Sequence, residues 1–338
     1  MWTVEKLEDL ETTPSAALIE DMKKIEGDIM VLGAGGKMGV TLCILAKRAI
    51  DAAGLKKRVI AVSRFSSEAA RNELTSKGVE IISCDLQDQA QLGALPEIPN
   101  IIFMAGLKFG TDGGEWKTWG MNATLPAFVV EKFKKSRFVV FSSGNIYPLC
   151  PLADGGSLET DKTGPIGEYT MSVLARERAF EYGANKYGTK VCIFRLNYAI
   201  ELRYGILCDI ATAIMEHRPI SIATPAVTFI WQGSANEDAI RCLLAADSPM
   251  EIMNVTGPEI ISVKQAAETM GKMLGIEPIF KGEPQKDAYI VNSQKAMSRF
   301  GYPSVSAGTL MQWQVEWLRD TGITLGKPTH FEERHGSY

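Results

Sequence analysis

Gly33, Gly36 and Gly39 fall at intervals of three in the run Gly33-Ala34-Gly35-Gly36-Lys37-Met38-Gly39. Glycines at this spacing permit a tight turn and let the backbone approach a bulky anion. Where a strand precedes such a loop and a helix follows it, the first N–H groups of the helix point at a pyrophosphate. Gly33, Gly35, Gly36, Lys37, Met38 and Gly39 are therefore candidate contacts for a dinucleotide. Further on, the apolar run Val59-Ile60-Ala61-Val62 ends in Ser63-Arg64. A dinucleotide fold that prefers NAD usually has Asp or Glu there, holding the ribose hydroxyls. Here no carboxylate repels a 2′-phosphate, and Arg64 can make a forked hydrogen bond to one. NADP is expected over NAD; a plain surface charge at Arg64 is the alternative.

The elements that must position this loop can be read from the apolar rhythm. Strands are expected at 28–32, 58–62, 79–84, 100–104, 137–141 and 190–195. Helices are expected at 14–25, 36–52, 66–77, 115–135 and 165–187. Short apolar strands alternating with helices specify βαβ units, hence an α/β fold with a Rossmann-type, doubly wound parallel sheet. After Asn197 the rhythm breaks up into helices near 204–217, 234–246, 263–275 and 307–320, with strands near 228–231 and 251–255. The expected division is an N-terminal helical extension (1–26), a dinucleotide-binding domain (27–200) and a smaller C-terminal α/β substrate lobe (201–338). Some elements of that lobe are expected to return to the sheet. No internal repeat or low-complexity tract is present.

Composition narrows the function classes. The 338 residues are 46% hydrophobic and 22% charged, ordinary for a globular chain with a large core. A net charge of -4 offers no basic footprint for nucleic acid or an anionic membrane. The six cysteines form no C-x-x-C pair and read as buried free thiols of a reducing compartment. The three histidines show no metal spacing, so no metal is expected. Residues 1–26 lack the apolar core of a secretion signal, and no apolar run approaches the ~20 residues of a membrane span. A cytoplasmic location is the expectation.

Further segments extend the pattern. Asp85-Leu86 follow the third strand, and Ala105-Gly106 follow the fourth. Asn122 lies in the long helix. Phe141-Ser142-Ser143-Gly144-Asn145-Ile146-Tyr147 ends the fifth strand, and Tyr169 opens the next helix. Asn254-Val255-Thr256-Gly257 and the stretch from Lys295 to Pro303 come later. Over roughly residues 28–320 the chain resembles the extended short-chain dehydrogenase/reductase family, also described as NAD-dependent epimerase/dehydratase. The resemblance implies that Asp85-Leu86 flank the adenine and that Ala105-Gly106 and Tyr169 lie at the cofactor. It implies catalytic roles for Ser143 and Tyr169. The tyrosine passes a proton to or from a substrate oxygen while hydride moves at the nicotinamide, and the serine hydrogen-bonds that oxygen. It also implies a homodimer, with segment 115–135 and the Tyr169 helix of each subunit meeting in a four-helix interface.

The chain departs from the family pattern in three places. Four residues after Tyr169, where the family has lysine, stands Val173, on the same helix face. The lysine's charge would lower the tyrosine pKa; Arg176, Lys162 and Lys108 are candidate substitutes. Val227 stands where nucleotide-sugar enzymes place a diphosphate-binding arginine, and Gly282, near Lys281 and Lys286, stands at a second such position. A forked partner for a diphosphate is missing. Finally, Asn197 in Arg195-Leu196-Asn197-Tyr198 lies one place early. Asn197, Tyr198, Arg203, Trp231 and Gln232 are candidate substrate contacts, since aromatic faces beside amides suit a sugar ring. Lys108, Asn145 and Tyr147 join them. The run from His330 to His335 reads as a solvated tail, with a lid as the alternative. The expected function is an NAD(P)-dependent oxidoreductase or epimerase of a small carbohydrate-like substrate: a free sugar, sugar acid or polyol. The alternative is a dinucleotide-binding sensor or scaffold that lost catalysis with the lysine.

Overall fold

The computed structural model describes residues 1–108 and 113–336. Seven strands form one sheet: β1 (Ile29–Leu32), β2 (Val59–Ser63), β3 (Glu80–Ser83), β4 (Asn100–Phe103), β5 (Arg137–Ser143), β6 (Val191–Leu196) and β7 (Glu251–Val255). Their order is β7-β6-β5-β4-β1-β2-β3, and every pairing is parallel. β1 and β4 are buried along their whole length, as strands covered on both faces must be. This is the doubly wound α/β sheet expected from the sequence. The order reverses between β1 and β4, and a crevice opens beyond the carboxyl ends of the strands there. β7 comes from the C-terminal third and returns to the sheet edge, where Glu251 pairs with Cys192.

Helices cover both faces. One carries α2 (Ala16–Lys24), α3 (Gly39–Ala52) and α10 (Gln232–Arg241); the other carries α7 (Leu125–Lys132) and α8 (Glu168–Tyr187). A further apolar core joins α9 (Ile206–Met215), α11 (Val263–Leu274) and α13 (Ala307–Thr321) to Trp2 and Leu7. Shorter helices are α4 (Glu68–Ser76), α5 (Gln89–Ala94), α6 (Glu115–Trp119) and α12 (Gln294–Phe300). All six cysteines are free and buried. Among the described residues no helix is long and apolar enough to cross a membrane.

Two elements differ from the sequence reading. The helix expected at 14–25 is preceded by α1 (Val4–Thr12), in a stretch too charged to show a clear apolar stripe. The side chain of Thr3 caps it by accepting the N–H of Lys6, and Trp2 anchors it edge-on to Trp313 and Trp317, at 5.5 and 6.3 Å. The long helix expected at 115–135 is α6, a wide π turn at Gly120–Thr124, then α7. Pro126, in the first turn of α7, has no N–H to give to the helix ladder, and the wider turn accommodates that loss.

Candidate active site

The glycine loop leaves β1 at the reversal point. Gly33 has φ +90°, and a Cβ there would lie 2.5 Å from the Ala105 nitrogen. Only glycine lets the loops after β1 and β4 pack this closely. A Cβ at Gly39 would meet the Ala34 oxygen at 2.5 Å, and one at Gly35 the Ser63 hydroxyl oxygen at 2.6 Å. Over Gly36 the space is open, with Gly33 oxygen the nearest atom at 3.6 Å. A groove of about 270 Å³ runs across this loop. It gathers Gly33, Gly35, Gly36, Ser63, Arg64, Asp85, Leu86, Ala105 and Gly106. Phe65, Ser66 and Ser67, which the sequence reading missed, also line it. The signal for the two serines was local: hydroxyls two and three places after Arg64, at the mouth of the groove. Gly39 is buried at the start of α3, while the side chains of Lys37, Met38 and Tyr169 line a neighbouring cleft.

That cleft, of about 230 Å³, holds Ser143, Tyr169, Lys37, Lys108, Asn145, Asn197, Tyr198, Tyr204 and Thr329. Ser143 is the last residue of β5, and Tyr169 lies in the first turn of α8. The two side chains line the same cleft. Ser143 Oγ also accepts the N–H of Asn145 at 3.2 Å. Burial pushes the Tyr169 phenol above its ordinary value, against the pull of the Arg176 charge and the Ser143 bond. Arg176 lies two helical turns along α8, buried, donating to Phe141 oxygen at 2.7 Å and Asn122 Oδ1 at 2.8 Å. Val173 is buried against Ile146, Tyr147 and Val291. Lys108 Nζ stands 5.8 Å from the centre of the Tyr169 ring. Burial and then the charge of Lys37 bring Lys108 down to about 8. Lys162 is exposed and does not line the cleft.

Residues 29–200, more than half the chain, match the model of the NAD dependent epimerase/dehydratase family. The chain belongs to this family. No curated protein matches it. Solved structures do. The UDP-glucuronic acid 4-epimerase from Bacillus cereus, in complex with UDP-glucuronic acid and NAD, is 18% identical with TM-score 0.69. Pal from Bacillus thuringiensis is 16% identical with TM-score 0.71. MoeE5 in complex with UDP-glucose and NAD is 20% identical with TM-score 0.67. Each likeness covers 87% of this chain and 99% of the other, and each speaks to the fold. A nicotinamide cofactor goes with the family. The groove fits one: Gly33 and Gly35 leave no room for a Cβ, and the surface above Gly36 is clear for a bulky group.

Other candidate residues of this epimerase/dehydratase family member fall outside the cleft. Tyr147 is buried behind β5, accepting from Arg195 Nη1 at 2.5 Å and donating to Asn254 Oδ1 at 3.0 Å. Trp231 is buried edge-on to Trp313, 5.7 Å between ring centres. Gln232 begins α10 and turns inward, donating to Glu11 Oε1 at 3.2 Å and Thr41 Oγ1 at 3.4 Å. Arg203 pairs with Glu8 at 3.2 Å and with Glu201. It opens onto a different cleft of about 390 Å³, shared with Arg218, Lys281 and Lys327, which holds neither Ser143 nor Tyr169. Asn197 does reach the catalytic cleft, but its amide is committed to Thr228 Oγ1 at 2.8 Å and Tyr289 oxygen at 3.2 Å.

Among the cleft residues missed are Tyr204 and Thr329. Tyr204 follows the short bridge from Glu201 and sits under the Lys37 ammonium, 4.1 Å from ring centre to Nζ. Thr329 belongs to the C-terminal tail, which is anchored rather than solvated. Its N–H and hydroxyl both donate to Asp209 Oδ2, at 2.8 and 2.6 Å. Phe331 is buried in the core of the C-terminal lobe, Arg334 pairs with Asp287, and Gly336 abuts Gly167 just before α8. A buried aromatic within a charged run was the only signal the sequence carried for this docking.

Proposed function

We propose that this protein is an NAD(P)-dependent oxidoreductase or epimerase acting on a small carbohydrate-like substrate: a free sugar, a sugar acid or a polyol. The observation that carries this reading is the pair of Ser143 and Tyr169, which line one cleft beside the glycine loop. A bound nicotinamide donates or accepts the hydride. Ser143 polarises the substrate oxygen. Tyr169 works as a neutral donor, because burial raises its pKa and the apolar Val173 offers no charge to hold a phenolate. In reduction its proton passes to the developing alkoxide. In oxidation near pH 7 it is a weak base.

Val227 is buried in a two-residue strand pairing with Ile261, so this position supplies no guanidinium for a diphosphate. That favours a substrate without the nucleotide bound in the UDP-glucuronic acid 4-epimerase and MoeE5 structures. Arg64, Ser66 and Ser67 at the groove favour NADP, and calorimetry is expected to show NADP binding tighter than NAD, with Arg64→Ala narrowing the difference. Trp116, Phe128, Met171 and Tyr182 leave exposed apolar surface on α6, α7 and α8, and we propose that two chains pair there, which light scattering checks.

The test is single-turnover kinetics of reduction and oxidation, from about pH 6 to 10, on sugars, sugar acids and polyols. Reduction is expected to run at neutral pH and to fall by about 10²- to 10⁴-fold in Tyr169→Phe. Oxidation is expected to be slow at pH 7 and to rise in alkali. Efficient oxidation at pH 7 that Tyr169→Phe abolishes would overturn the neutral donor. Tight cofactor binding with no turnover on any substrate would favour the sensor.

A further inference from the structure

The C-terminal tail touches one wall of the catalytic cleft and the foot of the other. Its beginning is held to the C-terminal lobe, where the N–H of Leu325 donates to Arg203 oxygen at 2.8 Å. Thr329, 3% exposed, lines the cleft beside Gly205 and Ile206, at the start of α9. It gives both its N–H and its hydroxyl to Asp209, and Phe331 is buried in the core of the lobe. Between these two anchors His330 has φ +55°, which turns the chain, and the N–H of Glu333 closes the turn on His330 oxygen at 3.0 Å. Beyond the turn the contacts change in kind. Arg334 Nη1 donates to Asp287 oxygen at 2.8 Å, and Nη2 pairs with the Asp287 carboxylate. Gly336 then lies against Ile166 and Gly167, backbone on backbone. A Cβ on Gly336 would come within 2.2 Å of Ile166 oxygen, and one on Gly167 within 2.3 Å of Gly336 oxygen. Both glycines are left-handed, with φ +84° and +83°. Gly167 is the N-cap of α8, whose first turn carries Tyr169. Thr329 and Gly336 are seven positions apart, and seven residues reach at most ~25 Å. The tail therefore crosses from the wall at α9 to the foot of the wall at α8.

Resting on the reading of this cleft as the substrate site, we propose that residues 332–336 are an arm that closes the cleft by docking Gly336 on Gly167, and that lifts to admit substrate and release product. Thr329 and Phe331 are its fixed end, and the turn at His330 is its hinge. The arm itself buries no large apolar side chain and is held by one partly exposed ion pair and one glycine contact. The Tyr289 hydroxyl, buried near Arg334 and Glu333, has no partner among the described residues, so the arm does not rest on a fully matched interior. A segment fastened this lightly belongs to the low-stability end of a fold, from which lids are drawn. Closed, the arm ties the start of α8 to the C-terminal lobe and keeps bulk water from Tyr169. Lifted, it frees the rim of the cleft while Thr329 stays in its wall.

The test reads access to Tyr169. Tetranitromethane nitrates solvated tyrosines, and mass spectrometry follows each tyrosine of the full chain separately. Wild type is compared with Gly336→Val, which blocks the docking, and with Arg334→Ala, which removes a fastening without adding bulk. Tyr302, 79% exposed, reports the reagent, and Tyr147, 1% exposed behind β5, reports the integrity of the fold. Nitration of Tyr169 is expected to rise in both variants, by about tenfold in Gly336→Val as for a local opening, while Tyr302 and Tyr147 keep their wild-type rates. An unchanged Tyr169 in Gly336→Val overturns the arm as a closure. A rise confined to Gly336→Val also overturns it, because the added side chain then acts as a wedge against Ile166. Tyr147 rising together with Tyr169 overturns it as well, since the tail would then brace the whole fold. No hydride transfer is read, so a sugar panel without turnover leaves the arm standing, and unchanged nitration leaves the Ser143–Tyr169 reading standing.

Discussion

Two buried charge clusters flank the cleft, and they are built differently. Behind Ser143, Glu177 accepts from Ser142 Oγ at 2.5 Å and from Arg195 Nε and Nη2 at 3.0 and 2.7 Å. Arg195 Nη1 donates to Tyr147, Tyr147 donates to Asn254 Oδ1, and the Asn254 amide donates to Ser157 oxygen at 3.0 Å. No side-chain oxygen or nitrogen of these residues is left buried without a partner. On the other side, Glu11 and Glu201 are 1% and 0% exposed, and each has one carboxylate oxygen without a partner. Gln232 Oε1 and Asn236 Oδ1 are likewise unmatched. The first cluster lies within one frame, mostly β5, α8, β6 and β7. The second joins α1, the segment after β6 and α10 across a seam. A rigid frame can match every donor to an acceptor. A seam between separately packed pieces leaves carboxylates with too few partners, and those are the ones that titrate.

The largest break in this comparison is expected from the closed cluster. Glu177→Ala strands the Arg195 charge, which is 3% exposed, and should cost about 3–5 kcal/mol in denaturant unfolding. Glu177→Met together with Arg195→Met should cost less than Glu177→Ala alone, since no unpaired charge then remains. A double variant that is worse than the single one would show that the network is held by more than charge matching.

The same contrast explains what the sequence could tell. The glycine loop was legible because its chemistry needs consecutive residues at one strand end, and Asp85, Ala105 and Ser143 follow the ends of other strands of the same sheet. Ser143 and Tyr169 entered through the family resemblance, and the parallel sheet brings them together. The far wall of the cleft was legible only in part. Lys108 was a substrate candidate and Lys37 was assigned to the cofactor, but Tyr204 and Thr329 come from distant segments, and only side-chain direction decides that they meet the two lysines. Trp231 and Gln232 have the right chemistry for a sugar, yet Gln232 faces Glu11 of α1. The charged pattern of 4–12 hid that helix, so the partner that takes Gln232 out of the cleft was hidden with it.

The smaller expected effect lies at the seam and is a matter of pH. Burial first, then the charge of Glu201, raises the Glu11 carboxyl from its ordinary 4.5 to about 8. Between those two values the folded protein holds a proton that the unfolded chain has released. Stability therefore falls as pH rises through this window, by on the order of 4 kcal/mol or less once water and relaxation screen the site. Lys37 has the opposite sign higher up: its folded value is lowered to about 8 from 10.5, so above about pH 8 the unfolded chain holds the extra proton and stability recovers. The recovery is shallow, because Lys37 keeps exposed surface. Asp238, also raised to about 8 by burial, adds a slope of the same sign as Glu11. The measurement is therefore the difference between wild type and Glu11→Gln. The variant keeps the shape of the side chain and removes one titration. Its melting temperature is expected to fall less between pH 5 and 8, and to lie above that of wild type at pH 8. An unchanged slope would mean that Glu11 stays ionised in the fold, matched by Arg203 and Lys37, and that the seam is as closed as the frame behind Ser143.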